Sequence, residues 1–568
     1  MSPQIMLTAP GALDEDTRAF VLMGFLAFVV PILFICVLSG PGRDRINEFY
    51  TAGRRLSSLR GALVLAGVYL SAATVLGTTG SVAVFGYDGL FIALCTMLSL
   101  GVLLLLALPL RERAGCTLGD TFALRAPGPA ARVAVAVVTL SVCVPYLVVQ
   151  LSGAGVTTAA LLGLSGPGAE QSAIVMIGVM VVCATVFGGM HGTIVIQVIK
   201  TVVLLGAVLA VTAVLLHRFH WSTDSLIEAA GQGSGRPVDY LRPGLRFAAG
   251  AAPESTLDFI GLMVTIVLGV ACLPHVALQI GTAPDAATAR RTVRNAIGIV
   301  GALCLGTALM GFAAAALVGA PAIVAADPGG ATALLMLTGE LAGGSSTHAG
   351  GALLVVLVSS AVFLTSLAVV ASVTLAAAGA IAHDVYTHVL RRGRMTEGRE
   401  VAAARWASVG VGVLSIGLAV SVQGWNVLFL SVLSLAVAAS CLLPALVYSL
   451  FWSGYTRAGL LWTLYGGLGC AVGLQISGPV FSGTPLALFP DWRLDWFPLQ
   501  TVVLVSLPAA FLLGWLGSVA GRRRAPTVTQ GRGLSAEGSR QDAGSGGRFP
   551  AAAGDLPIAR QSYSPEGR

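Results

Sequence analysis

The sequence predicts an all-α protein that crosses a membrane many times. Hydrophobic residues make up 56% of its 568 residues and charged residues only 10%, so a water-soluble fold would lack the polar side chains needed to cover its surface. Apolar runs of about 20 residues, long enough to cross about 30 Å of hydrocarbon, recur from residue 18 to residue 519. Arginines gather in alternate loops between these runs, as they do in loops that stay on the cytoplasmic side.

Taken in order, the apolar runs predict thirteen membrane spans. Most are continuous, whereas the second and the seventh are interrupted midway by small residues, hydroxyls or proline. The spans are placed at about residues 18–39, 59–81, 90–110, 131–162, 172–188, 193–216, 257–280, 295–319, 351–382, 405–422, 427–452, 458–477 and 497–519.

The arginine distribution predicts the orientation in the membrane. Arginines cluster in the first, third, seventh and ninth loops and after the last span, and all of these lie on one side when thirteen spans are counted. The chain is therefore predicted to be a multi-pass protein of the cell membrane with its N-terminus outside. Residues 1–520 form the transmembrane domain. Residues 521–568, rich in Gly, Ser, Pro and Arg, are predicted to be a disordered cytoplasmic tail.

Several classes of function find no support in the sequence. There is no GxxxxGK[ST] phosphate cradle for ATP-driven pumping, and no nucleophile, metal-ligand set or paired carboxylates for an enzyme. The nine cysteines show no disulfide-like or metal-like spacing. The net charge of +7 fits loops that face anionic lipid, so no nucleic-acid partner is implied. A membrane sensor is an alternative, although the tail after residue 520 is too short for a catalytic domain.

The two interrupted spans indicate a secondary transporter. Pro274 cannot donate a backbone hydrogen bond and disfavours helix at Cys272 and Leu273, so the seventh span is expected to break there. Broken spans in corresponding positions of two halves bind ions, because freed carbonyls attract cations and half-helix N-termini attract anions. Spans 2–6 and 7–11 supply two such halves of five. The alternative is that the glycines of these spans only permit close helix packing.

Six short motifs resemble, in order, the sodium:solute symporter family and, within it, the cation/acetate (monocarboxylate) symporters. The resemblance implies the five-plus-five inverted-repeat fold of the leucine-transporter type, with repeats at about 59–216 and 257–452 and flanking helices. It also implies Na⁺- or H⁺-coupled uptake of a small monocarboxylate such as acetate, with no cofactor besides the coupling ion. Another small solute is the alternative. The motifs are FYTAGRRLSSLRGALVLAG from residue 49, GYDGL at 86–90, YLVVQLSGAG at 146–155, FGGM at 187–190, LPH at 273–275 and HDVY at 383–386.

The family's cation site maps onto the second and ninth spans. The resemblance implies backbone oxygens of Gly67 and Leu70, beside Ser71, and oxygens at three positions of the ninth span. This chain departs from the family there, because two of those positions carry no side-chain oxygen. The cation would then rely on carbonyls, on Ser71 and on the hydroxyl of Thr365 or Ser372, which puts a sodium site in question. The three ninth-span positions are Thr365, Ala368 and Val369.

Lys200, the only lysine of the chain, lies in the apolar sixth span three residues after Gln197. Many sodium:solute symporters have an aspartate and then a glutamine at this spacing, so the lysine stands near a missing carboxylate. Its ammonium either replaces a cation, or holds an anionic substrate, or extends to an interface about 10 Å away as snorkelling lysines do.

A carboxylate substrate is favoured because the middles of the predicted spans contain essentially no Asp or Glu. A bound cation would then take its counter-charge from the substrate, and each ligand would strengthen the binding of the other. His275 titrates near neutrality and is the proton-coupling candidate, or else a packing histidine. Oligomeric state is not indicated. The substrate-binding candidates are Tyr69, Tyr146, Gln150, Gln197, Lys200, Cys272 and His275, where Tyr146 and Gln150 are alternatively contacts between helices.

Overall fold

The computed structural model describes residues 15–40, 45–161, 168–247, 253–343, 348–422, 428–484 and 487–524. Within these ranges the chain is helical, and an isolated bridge between Ser482 and Phe489 is the only β-type pairing. The all-α prediction is therefore confirmed. Of the predicted tail, residues 521–524 continue the last helix, and residues 525–568 lie outside the described part of the chain.

Twenty-one α-helices follow one another along the described residues. A short 3₁₀ segment covers Ala52–Arg54, and π-helical turns cover Ala380–Leu390, Ala438–Leu442 and Trp462–Gly466. The α-helices are α1 (Glu15–Leu38), α2 (Ile46–Thr51), α3 (Ser58–Tyr69), α4 (Ala72–Phe85), α5 (Tyr87–Arg113), α6 (Leu118–Ala123), α7 (Pro129–Leu161), α8 (Ala169–Arg218), α9 (Thr223–Gly233), α10 (Pro253–Ala271), α11 (Pro274–Ile280), α12 (Ala286–Leu317), α13 (Ala320–Ala326), α14 (Ala333–Gly343), α15 (His348–Gly379), α16 (Glu397–Ser421), α17 (Leu428–Val437), α18 (Leu443–Phe451), α19 (Arg457–Leu461), α20 (Gly467–Ile476) and α21 (Val503–Arg524).

Ten helical stretches of the described residues are long and apolar enough to cross a membrane, and the bent pair α3 and α4 makes an eleventh. The 50-residue helix α8 covers the predicted fifth and sixth spans together. Its two halves are separated at Gly189, whose φ of 51° and ψ of −148° interrupt the helix. A positive φ costs glycine little, since it has no Cβ. The number thirteen stays a prediction.

Both predicted helix breaks are present. Helix α3 ends at Tyr69 and α4 begins at Ala72, with a bend of 61° between them. Leu70 is extended there (φ −95°, ψ 96°), and Ser71 caps α4 by accepting a hydrogen bond from the Thr74 amide at 3.0 Å. Helix α10 ends at Ala271 and α11 begins at Pro274, where the missing N–H of proline costs nothing in a first turn.

Small residues let the helices around the first break approach closely. A Cβ placed on Gly67 would lie 2.5 Å from Gln197 Oε1 and 2.7 Å from Thr201 Oγ1, both on α8. Farther along the same span, a Cβ on Gly80 would lie 2.1 Å from the carbonyl oxygen of Gly330, in the loop before α14. The break is therefore enclosed by α8 on one side, while the far end of α4 is covered by that loop.

Candidate functional site

Lys200 of α8 contacts the end of α3. Its side chain is fully buried, and Nζ donates hydrogen bonds to the carbonyl oxygens of Gly67 at 2.5 Å and Leu70 at 2.6 Å. These carbonyls lack their usual helical partners because the helix stops at Tyr69. The C-terminal end of a helix also carries a partial negative charge, so it attracts a cation.

The side chain of Lys200 therefore extends across to α3 and not toward an interface, so the snorkelling alternative does not describe it. Its ammonium lies between the two backbone oxygens, of Gly67 and Leu70, that the family resemblance assigns to a cation. Within the described residues, the hydrogen bonds of Nζ go to these two carbonyls, and no carboxylate forms a salt bridge with Lys200. The functional role of the lysine stays a prediction.

Gln197, one turn before Lys200, joins α8 to α15. Its Nε2 donates to the carbonyl oxygen of Ala368 at 2.9 Å and to Ser372 Oγ at 2.8 Å. Ala368 and Ser372, two ninth-span residues predicted for the cation site, therefore lie near Lys200. Both accept hydrogen bonds from the Gln197 side chain. Thr365 differs, because its hydroxyl donates to Ala361 in its own helix at 2.6 Å. Gln197 Oε1 is buried without a hydrogen-bond partner in the described structure.

Two of the predicted substrate residues, Tyr146 and His275, pack against each other. The Tyr146 ring centroid lies 5.6 Å from that of His275. Gln150, one turn farther along α7, is 2% exposed and His275 is 1% exposed. Neither side chain has a hydrogen-bond partner for any of its nitrogen or oxygen atoms within the described residues. Burying an unpaired amide or imidazole is unfavourable, so both groups are suited to a polar ligand.

Tyr69 and Cys272 lie next to the two helix breaks, and Tyr69 faces α5. The Tyr69 hydroxyl accepts a hydrogen bond from Ser99 of α5 at 3.2 Å, and Cys272 is fully buried close to Tyr69. The structure therefore places this pair against α5, whereas Lys200 and Gln197 contact α3 and α15.

The site is closed in this structure. Two cavities are found beside it, each of about 10 Å³, which is the space of about one water molecule. One is lined only by apolar side chains such as Val75, Leu204 and Val362, and the other lies between Pro274 and Asp384. A carboxylate would fit neither, so a ligand reaches Gln150 and His275 only when helices move apart.

A second polar cluster lies at the other end of α15, and sequence reasoning did not identify it. We call it the His383 cluster and define it as Asp120, Arg132, His383, Asp384, His388 and Glu400. Arg132 bridges Asp120 and Asp384 at 2.9 Å each, and His383 bridges Asp120 at 3.0 Å and Glu400 at 2.5 Å. Burial would raise the pKa of the Asp120 carboxyl, but its contacts with His383, the Cys116 amide and Arg132 lower that pKa below its usual value.

The roles of Asp120 and Arg132 were not recognisable from the sequence because the residues they join, His383 and Asp384, lie more than 250 residues farther along the chain. The one local signal was the pair His383 and Asp384 in the HDVY motif, two ionisable residues directly after a long apolar span. Gly119 permits the close approach of α6 to Asp384, because a Cβ at this position would clash with the Asp384 carboxylate.

Known proteins resemble this chain along most of its length. The family model described as Sodium:solute symporter family matches residues 49–467. The protein named Uncharacterized symporter YwcA of Bacillus subtilis (strain 168) is 37% identical over 514 residues, covering 89% of this chain and 94% of that protein. The Monocarboxylic acid transporter of Corynebacterium glutamicum is 36% identical over 512 residues, covering 88% and 91%.

Solved structures share the fold at low sequence identity. A Na⁺-coupled sialic acid symporter in an outward-open state matches with a TM-score of 0.65 and 14% identity, over 89% of this chain and 97% of that one. Mhp1, a nucleobase-cation-symport-1 family transporter in a closed conformation, matches with a TM-score of 0.53 and 15% identity, over 84% and 95%. These matches confirm the predicted leucine-transporter-type fold.

Proposed function

Because the chain belongs to the sodium:solute symporter family, and is a multi-pass membrane transporter and not an enzyme, we propose that it takes up a small monocarboxylate such as acetate together with protons. In this proposal the ammonium of Lys200 takes the place of a sodium ion. The arginine-rich loops support the proposed orientation, with the N-terminus outside and residues 521–568 in the cytoplasm.

One observation carries the choice of coupling ion. Lys200 Nζ donates to the carbonyl oxygens of Gly67 and Leu70, and Gln197 occupies the carbonyl of Ala368 and the hydroxyl of Ser372. A sodium ion at this position would have to displace a fixed positive charge from its oxygen partners. A proton has no such competitor, because it can bind to and leave the amine of Lys200 itself.

The cargo is proposed from the polar groups near Lys200. Gln150 and His275 are buried donors without hydrogen-bond partners in the described structure. Both side chains could donate a hydrogen bond to a carboxylate. The carboxylate would supply the negative charge that the surroundings of Lys200 lack. The similarity to the Monocarboxylic acid transporter of Corynebacterium glutamicum supports the same cargo.

Charge balance couples the two ligands. A protonated Lys200 attracts the substrate carboxylate, and the bound carboxylate in turn favours the protonated form by the same factor. The substrate and its proton are therefore expected to bind together on one side and to leave together on the other.

Uptake of labelled acetate into proteoliposomes tests the proposal. The expected result is accumulation under an inward proton gradient without sodium, faster than in protein-free liposomes under the same gradient, saturable with acetate concentration and competed by propionate and pyruvate. A strict sodium requirement would overturn the coupling ion and leave the cargo standing. Binding of acetate without uptake under either gradient would instead favour the membrane-sensor alternative.

A further inference from the structure

Two histidines of the His383 cluster are held in the same way. His383 Nδ1 contacts Glu400 Oε1 at 2.5 Å, and His388 Nδ1 contacts the carbonyl oxygen of His383 at 2.8 Å. Metal-binding histidines are typically oriented by such a contact, in which the ring nitrogen that does not bind the metal donates to a carboxylate or a carbonyl. His388 then keeps Nε2 as a ligand atom, whereas His383 Nε2 hydrogen-bonds the Asp120 carboxylate and would exchange that hydrogen bond for a bond to the metal.

The third member of the group is a carboxylate. One ligand atom from each of Asp120, His383 and His388 lies within 4.8 Å of the other two. His383 Nε2 is 3.0 Å from Asp120 Oδ2. In a tetrahedral zinc site, bonds of 2.0–2.2 Å place two ligand atoms about 3.3–3.6 Å apart, so this hydrogen-bonded pair would need to separate by only about 0.3–0.6 Å to share a metal ion.

The charges of the cluster leave a deficit that a divalent ion would balance. Three carboxylates, those of Asp120, Asp384 and Glu400, face the single guanidinium of Arg132. While its ring is protonated, His383 offsets one more of these negative charges, and a divalent ion bound in place of that proton would bring the cluster to neutrality. Arg132 binds Asp120 through Oδ1, which leaves Oδ2 directed at His383.

We propose that the His383 cluster binds a divalent transition-metal ion of the zinc type through Asp120, His383 and His388. Two nitrogen ligands and one oxygen ligand leave a fourth position for water. Access is available from the side of Asp120, which is 20% exposed, and of the half-buried His388. The metal would tie α6 to the end of α15 and, through Glu400, to α16. This site is separate from Lys200 and does not depend on the proposed cargo.

Cobalt titration of the purified transporter, carrying an affinity tag without histidines and stripped of metal by a chelator, tests the site. The expected result is one Co²⁺ per chain, with the intense visible absorption of a tetrahedral ion, which Zn²⁺ displaces. His388→Ala should lose this spectrum, whereas His217→Ala, an exposed histidine outside the cluster, should keep it. Since His388 is half-buried, its loss should leave the metal-free protein folded, as thermal unfolding in chelator would verify.

Glu400→Gln provides a second measurement. It should keep the tetrahedral spectrum but weaken Co²⁺ binding by about 10- to 100-fold, because it disturbs the group that orients His383. An absence of saturable Co²⁺ binding at micromolar concentration in the unmodified protein would overturn the proposal. Equal affinities of the unmodified protein and His388→Ala would overturn it as well, and the cluster would then be an ion-pair network only.

Discussion

The two polar regions of this transporter balance their charges in opposite ways. Around Lys200 there is one positive charge, and its described hydrogen bonds go to backbone carbonyls. In the His383 cluster three carboxylates, an arginine and two histidines contact one another directly. The first region leaves buried polar groups such as Gln150 and His275 without partners, whereas the second joins its charged groups in ion pairs.

This difference indicates which of the two regions can gain from binding a charged ligand. Carbonyl dipoles stabilise an ammonium without neutralising it, so the Lys200 region gains from an incoming carboxylate. The His383 cluster has its own counter-charges, and breaking a buried ion pair costs about 3–5 kcal/mol because the remaining partner stays charged. Substitutions near Lys200 should therefore change transport, and substitutions in the cluster should change stability.

The largest effect on transport is expected from Gly67→Trp. A Cβ at Gly67 already lies 2.5 Å from Gln197 Oε1, so an indole there cannot coexist with the helix contact that positions Lys200. Acetate uptake should fall to background while the protein remains in the membrane. Gly77→Trp is the matched control on the same span, since a Cβ at Gly77 meets no atom within 4 Å. Normal uptake by Gly67→Trp would remove the helix break from the transport site.

Lys200→Gln should reduce uptake by at least about 10- to 100-fold, which corresponds to losing one of the two charge-assisted hydrogen bonds of Lys200. Lys200→Arg keeps the charge but should also transport poorly, because a planar guanidinium does not fit where a compact ammonium lies between Gly67 and Leu70. Initial rates at saturating acetate would measure both. Full activity of Lys200→Arg together with a mild loss in Lys200→Gln would contradict a functional role for the lysine.

Asp384→Asn tests whether substitutions in the His383 cluster change stability. The substitution leaves the Arg132 guanidinium without one of its two carboxylates, and unfolding should become easier by about 3–5 kcal/mol. A lower midpoint of thermal unfolding would measure this loss. The acetate KM of the molecules that remain folded should be unchanged. A raised KM with unchanged stability would place the cluster in the transport path and remove the contrast between the regions.

The smallest effect is expected from Val369→Ser. Val369 follows Ala368, whose carbonyl accepts from Gln197, and the family resemblance expects an oxygen ligand at this position. Uptake by the unmodified protein should depend weakly on sodium, and the added hydroxyl should increase that dependence slightly because Lys200 remains. A strong sodium requirement that the substitution leaves unchanged would show that the ninth-span positions were misaligned.

The helix breaks were predictable because their causes are local, namely Pro274 in the seventh span and the small residues around Gly67 in the second. The direction of the Lys200 side chain was not, since its flexible stem permits contact with α3 or with an interface, and the packing of α8 on α3 decides between them. The His383 cluster depends on α6, α7, α15 and α16 meeting in space. Apart from the HDVY motif, no local sequence pattern indicates that these helices come together.

The solitary lysine gives this transporter a built-in chemical reporter. Apart from the N-terminal amine, Lys200 carries the only primary amine of the chain, and in the closed structure it is fully shielded. A small amine-reactive reagent can modify it only while the helices around the break are apart. The rate at which one peptide gains mass would then report how often the site is open with Lys200 in its neutral form, in an unmutated protein and in the presence or absence of any cargo.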